Sequence, residues 1–285
     1  MPIQNIIRHI KFLLFISLLT QCTERINVEV GSTYTRLVVE GYLSTDTMQH
    51  KIRLTRSGDY FSDKPAQPVS NAIVTIYDED TTVILYESHD NPGTYLTEPD
   101  YYGVPGKTYT LTISQVDIDN NGETEEYTAS SKLEPVNPID SIRLENLKGT
   151  DFNIWEVLVY AWDSPATNFY AFKVLRNGHL ITDSLHELIV QNDVFFNGNY
   201  ADGIPAQFLD QGNRDEIIKP GDTVTLEING ITEDYYNFIL EAQSEIFYQN
   251  PIFSGPPANI SSNVSNGSLG FFIAYSVARS SVVFK

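Results

Sequence analysis

The stretch VDIDNNGETEEY, residues 116–127, gathers more oxygen donors than any other part of the chain. Asp117, Asp119, Asn121 and Gly122 follow the D-x-D-x-N-G opening of a calcium loop, and Glu123 and Glu125 add further oxygens. The twelfth position is Thr128, where an EF-hand needs a bidentate glutamate, and the flanks read as strands rather than helices. Two readings follow: a weak calcium site on Asp117, Asp119, Asn121 and Glu123, or an acidic hairpin turn centred on Asn120, Asn121 and Gly122. The second is favoured, so no cofactor is expected beyond weakly bound calcium. The five histidines, His9, His50, His89, His179 and His186, form no H-E-x-x-H pair. The chain has no G-x-S-x-G elbow, P-loop or GxGxxG turn, and these residues predict binding without a chemical step.

Sulfur chemistry is restricted to Cys22, the single cysteine, which can form no internal disulfide and no thiolate cluster. Its position explains it better. Arg8 and Lys11 form a positive segment, and the apolar run Phe12–Leu19 that follows is too short for the roughly 20 residues a membrane helix requires. Leu19-Thr20-Gln21-Cys22 then resembles the lipobox of bacterial lipoproteins, with Gln21 in place of the usual small residue. The expectation is a signal peptide over 1–21, a lipidated Cys22 and a tether over 22–33. One acyl chain holds a membrane only marginally, whereas two or three hold it firmly.

Charge narrows the partners. The net charge is −19, and losing 1–21 removes two of the 18 basic residues and none of the 37 acidic ones, giving −21. Phosphate binding needs the opposite sign, which excludes nucleic acid. Cations, neutral sugars, peptides and other proteins remain.

The elements that position these residues are strands. Apolar alternation marks 34–44, 50–57, 72–78, 82–88, 90–97, 106–116 and 125–133, separated by turn residues. That pattern predicts an antiparallel β-sandwich over 34–134. LEPVNPIDS (133–141) carries two prolines and marks the boundary of a second sandwich over 135–285, where 155–164 and 169–178 read as strands. Trp155 and Trp162 are expected to fill its core. One helix is predicted over 232–247, capped by Thr232, with Tyr235, Ile239, Ala242 and Ile246 packing on a sheet. The fold class is therefore all-β, two consecutive immunoglobulin- or transthyretin-like sandwiches with one C-terminal helix.

Two surfaces suggest binding. Tyr101 and Tyr102 precede GVPG and read either as an aromatic pair for stacking on a sugar or receptor, or as a cap on the sandwich. The long segment 250–268 offers Phe253 as an anchor, stiffened by Pro256 and Pro257 and followed by Asn259; the alternative is that it covers a strand edge. Thr47, Ser141, Ser184 and Thr223 each follow an aspartate in triplets that resemble the O-glycosylation motif of exported Bacteroidota proteins.

In order, TRLVVEGYLS, IRLTRSGDYF, PVSNAIVTIYD, GVPGKTYTLTI, PVNPIDSI and NPIFSGPPANISSNVSNGSLGFFIAYSV resemble the Bacteroidota lipoprotein family catalogued as domain of unknown function 4249. The resemblance implies an outer-membrane lipoprotein that accompanies a TonB-dependent receptor in nutrient uptake, and the residues after Cys22, Thr-Glu-Arg, favour the cell surface over the periplasmic face without a strong acidic export tag. The alternative expectation is a surface adhesion or structural lipoprotein acting without a receptor.

Overall fold

The computed structural model describes residues 34–58, 64–147, 153–247 and 260–285. Cys22, the tether, Phe253, Pro256, Pro257 and Asn259 lie outside the described residues. Seven strands fill the first half: β1 (Leu37–Ser44), β2 (Lys51–Arg56), β3 (Ile73–Tyr77), β4 (Thr82–Glu87), β5 (Thr94–Leu96), β6 (Thr108–Val116) and β7 (Glu125–Lys132). The second half holds β8 (Ser141–Asn146), β9 (Ile154–Trp162), β10 (Phe169–Arg176), β11 (His179–Leu180), β12 (Ile189–Asn192), β13 (Tyr200–Asp210) and β14 (Thr223–Ile231). Helix α1 (Glu233–Phe247) and a 15-residue strand β15 (Leu269–Val283) complete the chain.

Alternation builds the first sandwich. Leu37, Val39 and Leu43 of β1 and Ile52 and Leu54 of β2 point inward from one layer, while Val74, Ile76, Tyr109, Leu111 and Ile113 do so from the other. Each buried side chain of this size contributes roughly 1.5–3 kcal/mol of transfer free energy, so layer-on-layer packing dominates. Leu133 is the last residue of the first half in this core, and Val136, a few residues later, packs against the second. There the layer β10–β14–β15 faces the three-stranded sheet β13–β9–β8 across Val157, Val174, Leu209, Val224 and Leu226.

The last strand departs from the sequential division at 134/135. Its first part pairs in parallel with β1, from Val38↔Leu269 to Ser44↔Tyr275, and places Phe272 and Ala274 in the first core. Its second part pairs antiparallel with β14, from Gly230↔Ser276 to Thr223↔Val283. The strand assigned by sequence to the second sandwich alone thus belongs to both, and residues 35–285 group as one compact unit. Gly270 makes the entry possible: its φ is +87°, and a Cβ there would stand 2.0 Å from the Val39 carbonyl oxygen.

An ion network reinforces the same seam. Arg279 of β15 donates from Nη1 and Nη2 to Asp46 in the β1–β2 turn, at 2.9 and 2.6 Å, and from Nε to Glu227 of β14 at 2.8 Å. Lys173 of β10 approaches the other Glu227 oxygen at 3.7 Å.

Helix α1 starts where predicted, with the Thr232 hydroxyl accepting the Tyr235 N–H at 3.3 Å. Ile239 and Ala242 are buried, and Tyr235 stacks on Phe238 and meets Phe271 edge-on. Ile246, expected in the same contact, is exposed. The helix covers the face of the β10–β14–β15 layer that points away from the second core.

Candidate functional site

The acidic loop 117–123 spends its oxygens on its own backbone. Asp117 accepts the N–H groups of Asn121 and Gly122 at 3.0 and 2.9 Å, and Asn121 accepts that of Glu123 at 2.7 Å. Asn120 and Gly122 take positive φ, the conformation a tight turn requires. Arg56 clamps the loop by donating to the carbonyls of Ile118 and Asp117. Among the described residues, no three His, Cys, Asp or Glu side chains are gathered as a metal-binding group.

The tyrosine pair divides. Tyr101 packs against the first core, edge-on to the buried His50, and its hydroxyl is buried without a partner. Burial pushes that hydroxyl's pKa well up and likewise holds His50 below the usual histidine range. Tyr102 is 54% exposed beside a groove formed by Thr45, Val104, Pro135 and Val277 where the two sandwiches join. Of the four hydroxyls in Asp-Ser/Thr triplets, Thr47 and Ser141 are exposed and Ser184 and Thr223 half-buried.

Ser184, His186 and Glu187 superficially suggest a catalytic triad. The Ser184 hydroxyl donates to the Glu187 carboxylate, however, while His186 Nε2 sits 3.5 Å away on the exposed side. A nucleophile whose proton is already held by a carboxylate is not activated by the imidazole. The group is a turn cap.

A different place collects binding features: one end of the second sandwich. Tyr200 pairs in register with Trp162, and their rings lie 5.2 Å apart. Trp162 is 62% exposed, against the expectation that it fills the core. Trp155 does pack inward, edge-on to Phe284 at 4.7 Å. The strand period explains the split: seven residues separate the two tryptophans, so they face opposite sides of β9.

Below Trp162 and Phe196 an apolar cleft of about 490 Å3, including its open mouth, enters between the layers towards Val159, Phe172 and Ile228. Asn137 at the mouth donates to the Trp162 carbonyl at 2.8 Å. The enclosed space within it is about 40 Å3, room for a water-sized group or the tip of one side chain. The loop 193–199 borders the mouth and exposes Val194 and, at 96%, Phe195. Sequence reasoning passed over this loop, although two adjacent phenylalanines followed by Asn-Gly are an apolar pair inside turn chemistry.

Two aspartates hold the loop. Asp163 accepts the Tyr170 hydroxyl at 2.6 Å and the Gly198 N–H at 3.0 Å. Asp193 accepts the Asn168 N–H at 2.8 Å. Burial raises the Asp193 pKa above the usual carboxylate range, and the Asp163 charge raises it further.

Fold and site together define an all-β, sandwich-like protein with one helix and a cluster of exposed aromatic rings at one end. The chain belongs to the family described as Domain of unknown function (DUF4249), whose family model matches residues 23–281. A search of curated proteins finds no match.

Proposed function

We propose that this protein is a lipid-anchored outer-membrane protein, most of it outside the cell, that binds without a chemical step and serves as the accessory or substrate-binding partner of a TonB-dependent receptor. The lipobox-like Leu19-Thr20-Gln21-Cys22, acylated on sulfur, supplies the anchor. The observation that carries the binding role is the end of the second sandwich, where an apolar cleft lined by Trp162 and Phe196 opens beside the exposed rings of Tyr200 and Phe195. Exposed aromatic rings beside a slot are the residue types that dominate protein contacts, and they also stack on sugars. The ligand is accordingly a saccharide or peptide, and the acidic surface excludes polyanions.

A mild-detergent pull-down of the tagged protein tests the reading. The expected result is a stoichiometric barrel partner, lost on Phe195→Ser with Trp162→Ala. Recovery of the free lipoprotein alone supports the adhesion or structural reading instead. A Cys22→Ser variant should leave the membrane fraction and incorporate no labelled palmitate.

A further inference from the structure

Two buried oxygens beside the cleft have no donor. Asp193 has no exposed surface, and its Oδ1 has no hydrogen-bond partner; neither has the buried Oδ1 of Asn168. Both belong to one place, because the Asn168 N–H reaches Asp193 Oδ2 at 2.8 Å while the Asp193 N–H reaches the Asn168 carbonyl at 3.2 Å. The Asp163 carboxyl holds the same loop through the Gly198 N–H, and its charge helps to raise the Asp193 pKa. None of the ion pairs among the described residues involves either aspartate.

Two neighbouring carboxylates, one of them fully buried, call for a shared proton, a bridging water or a cation. A proton joins one oxygen of each carboxyl and leaves Asn168 Oδ1 unsatisfied. A cation can take oxygens from all three side chains, and the two donors already on Asp163 leave lone pairs free on both of its oxygens. The donors are oxygen only, two of them carboxylates and one an amide carbonyl, which matches calcium with its irregular shell better than zinc or magnesium.

We propose that Asp163, Asn168 and Asp193 form a site for a hard divalent cation of the calcium class, which fastens the 164–168 turn to the 193–199 loop. The site is separate from the acidic loop 117–123 and does not depend on the receptor reading. Its consequence is structural control: the ion orders the loop that carries Phe195 and Phe196 at the mouth of the cleft.

Terbium luminescence on the full chain in detergent tests it, because Trp162 directly precedes Asp163 and can sensitise the ion. Excitation at the red edge, where tryptophan alone absorbs, should give emission that excess calcium displaces. Calcium should also raise the melting temperature. Asp193→Asn should weaken both responses at least tenfold, and Asp119→Asn should leave them intact. Absence of both responses in the unmodified protein overturns the proposal in favour of a shared proton or a rotated Asn168 amide. Responses that survive Asp193→Asn and vanish in Asp119→Asn overturn it in favour of the acidic loop. Should Asp193→Asn fail to fold, Trp162→Phe decides: emission must fall while the calcium-induced thermal shift persists, and unchanged emission overturns the assignment.

Discussion

The two sandwiches share a strand and differ in how their loops are bonded. In the first, polar groups in the connecting loops are largely satisfied from within: Asp117 caps its own turn, Glu87 accepts the N–H groups of Asn71 and Gly93, and Asp78 accepts those of Asp80 and Thr81. In the second, one end keeps two aromatic rings in water, a phenylalanine at a loop tip, and two buried oxygens without donors. Local self-satisfaction marks a scaffold. Two unpartnered oxygens and several exposed rings gathered at one end single out the place where the proposed binding is best tested, although Tyr101 and Tyr86 show that the first sandwich has such features singly.

The harshest way to break this contrast is to cut the strand both halves use. Phe272 is fully buried in the first core although it belongs to the last strand of the chain. Phe272→Ala should cost about 3–5 kcal/mol, and Gly270→Ala should be comparably damaging because its Cβ would meet the Val39 carbonyl. Denaturant unfolding measures both. If the halves behave as one unit, tyrosine and Trp155 signals shift together; loss of the first half with the second unmoved would show that β15 does not couple them.

A smaller effect sharpens the same point at the seam. The hydrogen bond from Arg279 holds the Asp46 carboxyl below the usual carboxylate range. A lowered folded pKa means the contribution is present above the unfolded value of about 3.9 and disappears as the pH falls through the folded value. Asp46 and Arg279 are each a third or more exposed, so solvent screens the pair, and Asp46→Asn should cost about 1 kcal/mol at neutral pH. The difference from the unmodified protein should shrink below about pH 4. A difference that stays constant down to the acid limit would detach the effect from Asp46.

Much of the fold was legible because the first sandwich buries one face of each strand. Its seven strands alternate cleanly in sequence and appear within a few residues of their expected bounds. Strand β14 gave no such signal, because α1 covers its outer face and residues 226–231 are buried on both sides. Strand β13 was hidden for another reason: Gly203 and Pro205 accompany two register shifts that break the alternation. The partner of β15 was beyond reach, since period gives a strand's faces and says nothing of which neighbour it pairs with. At the site, the spacing of Trp155 and Trp162 carried the answer. Asp163, Asn168 and Asp193 carried none, being brought together only by the loops at the end of the second sandwich.

The smallest effect on stability should accompany a large one on binding. Trp162 ends its strand with most of its surface in water, so Trp162→Ala leaves little cavity and should change stability by less than about 1 kcal/mol. Trp162 nevertheless lines the rim of the cleft and pairs with Tyr200, and loss of a central aromatic contact typically weakens an interface by about 2 kcal/mol or more. Trp155→Ala supplies the opposite pattern: its ring packs in the core against Phe284, so stability should fall by about 3 kcal/mol or more while the mouth keeps its residues. Melting curves and partner recovery measured on both variants would separate the roles of two residues of one type on one strand. Equal loss of recovery from the two, matched to equal loss of stability, would reduce the aromatic end to another piece of scaffold.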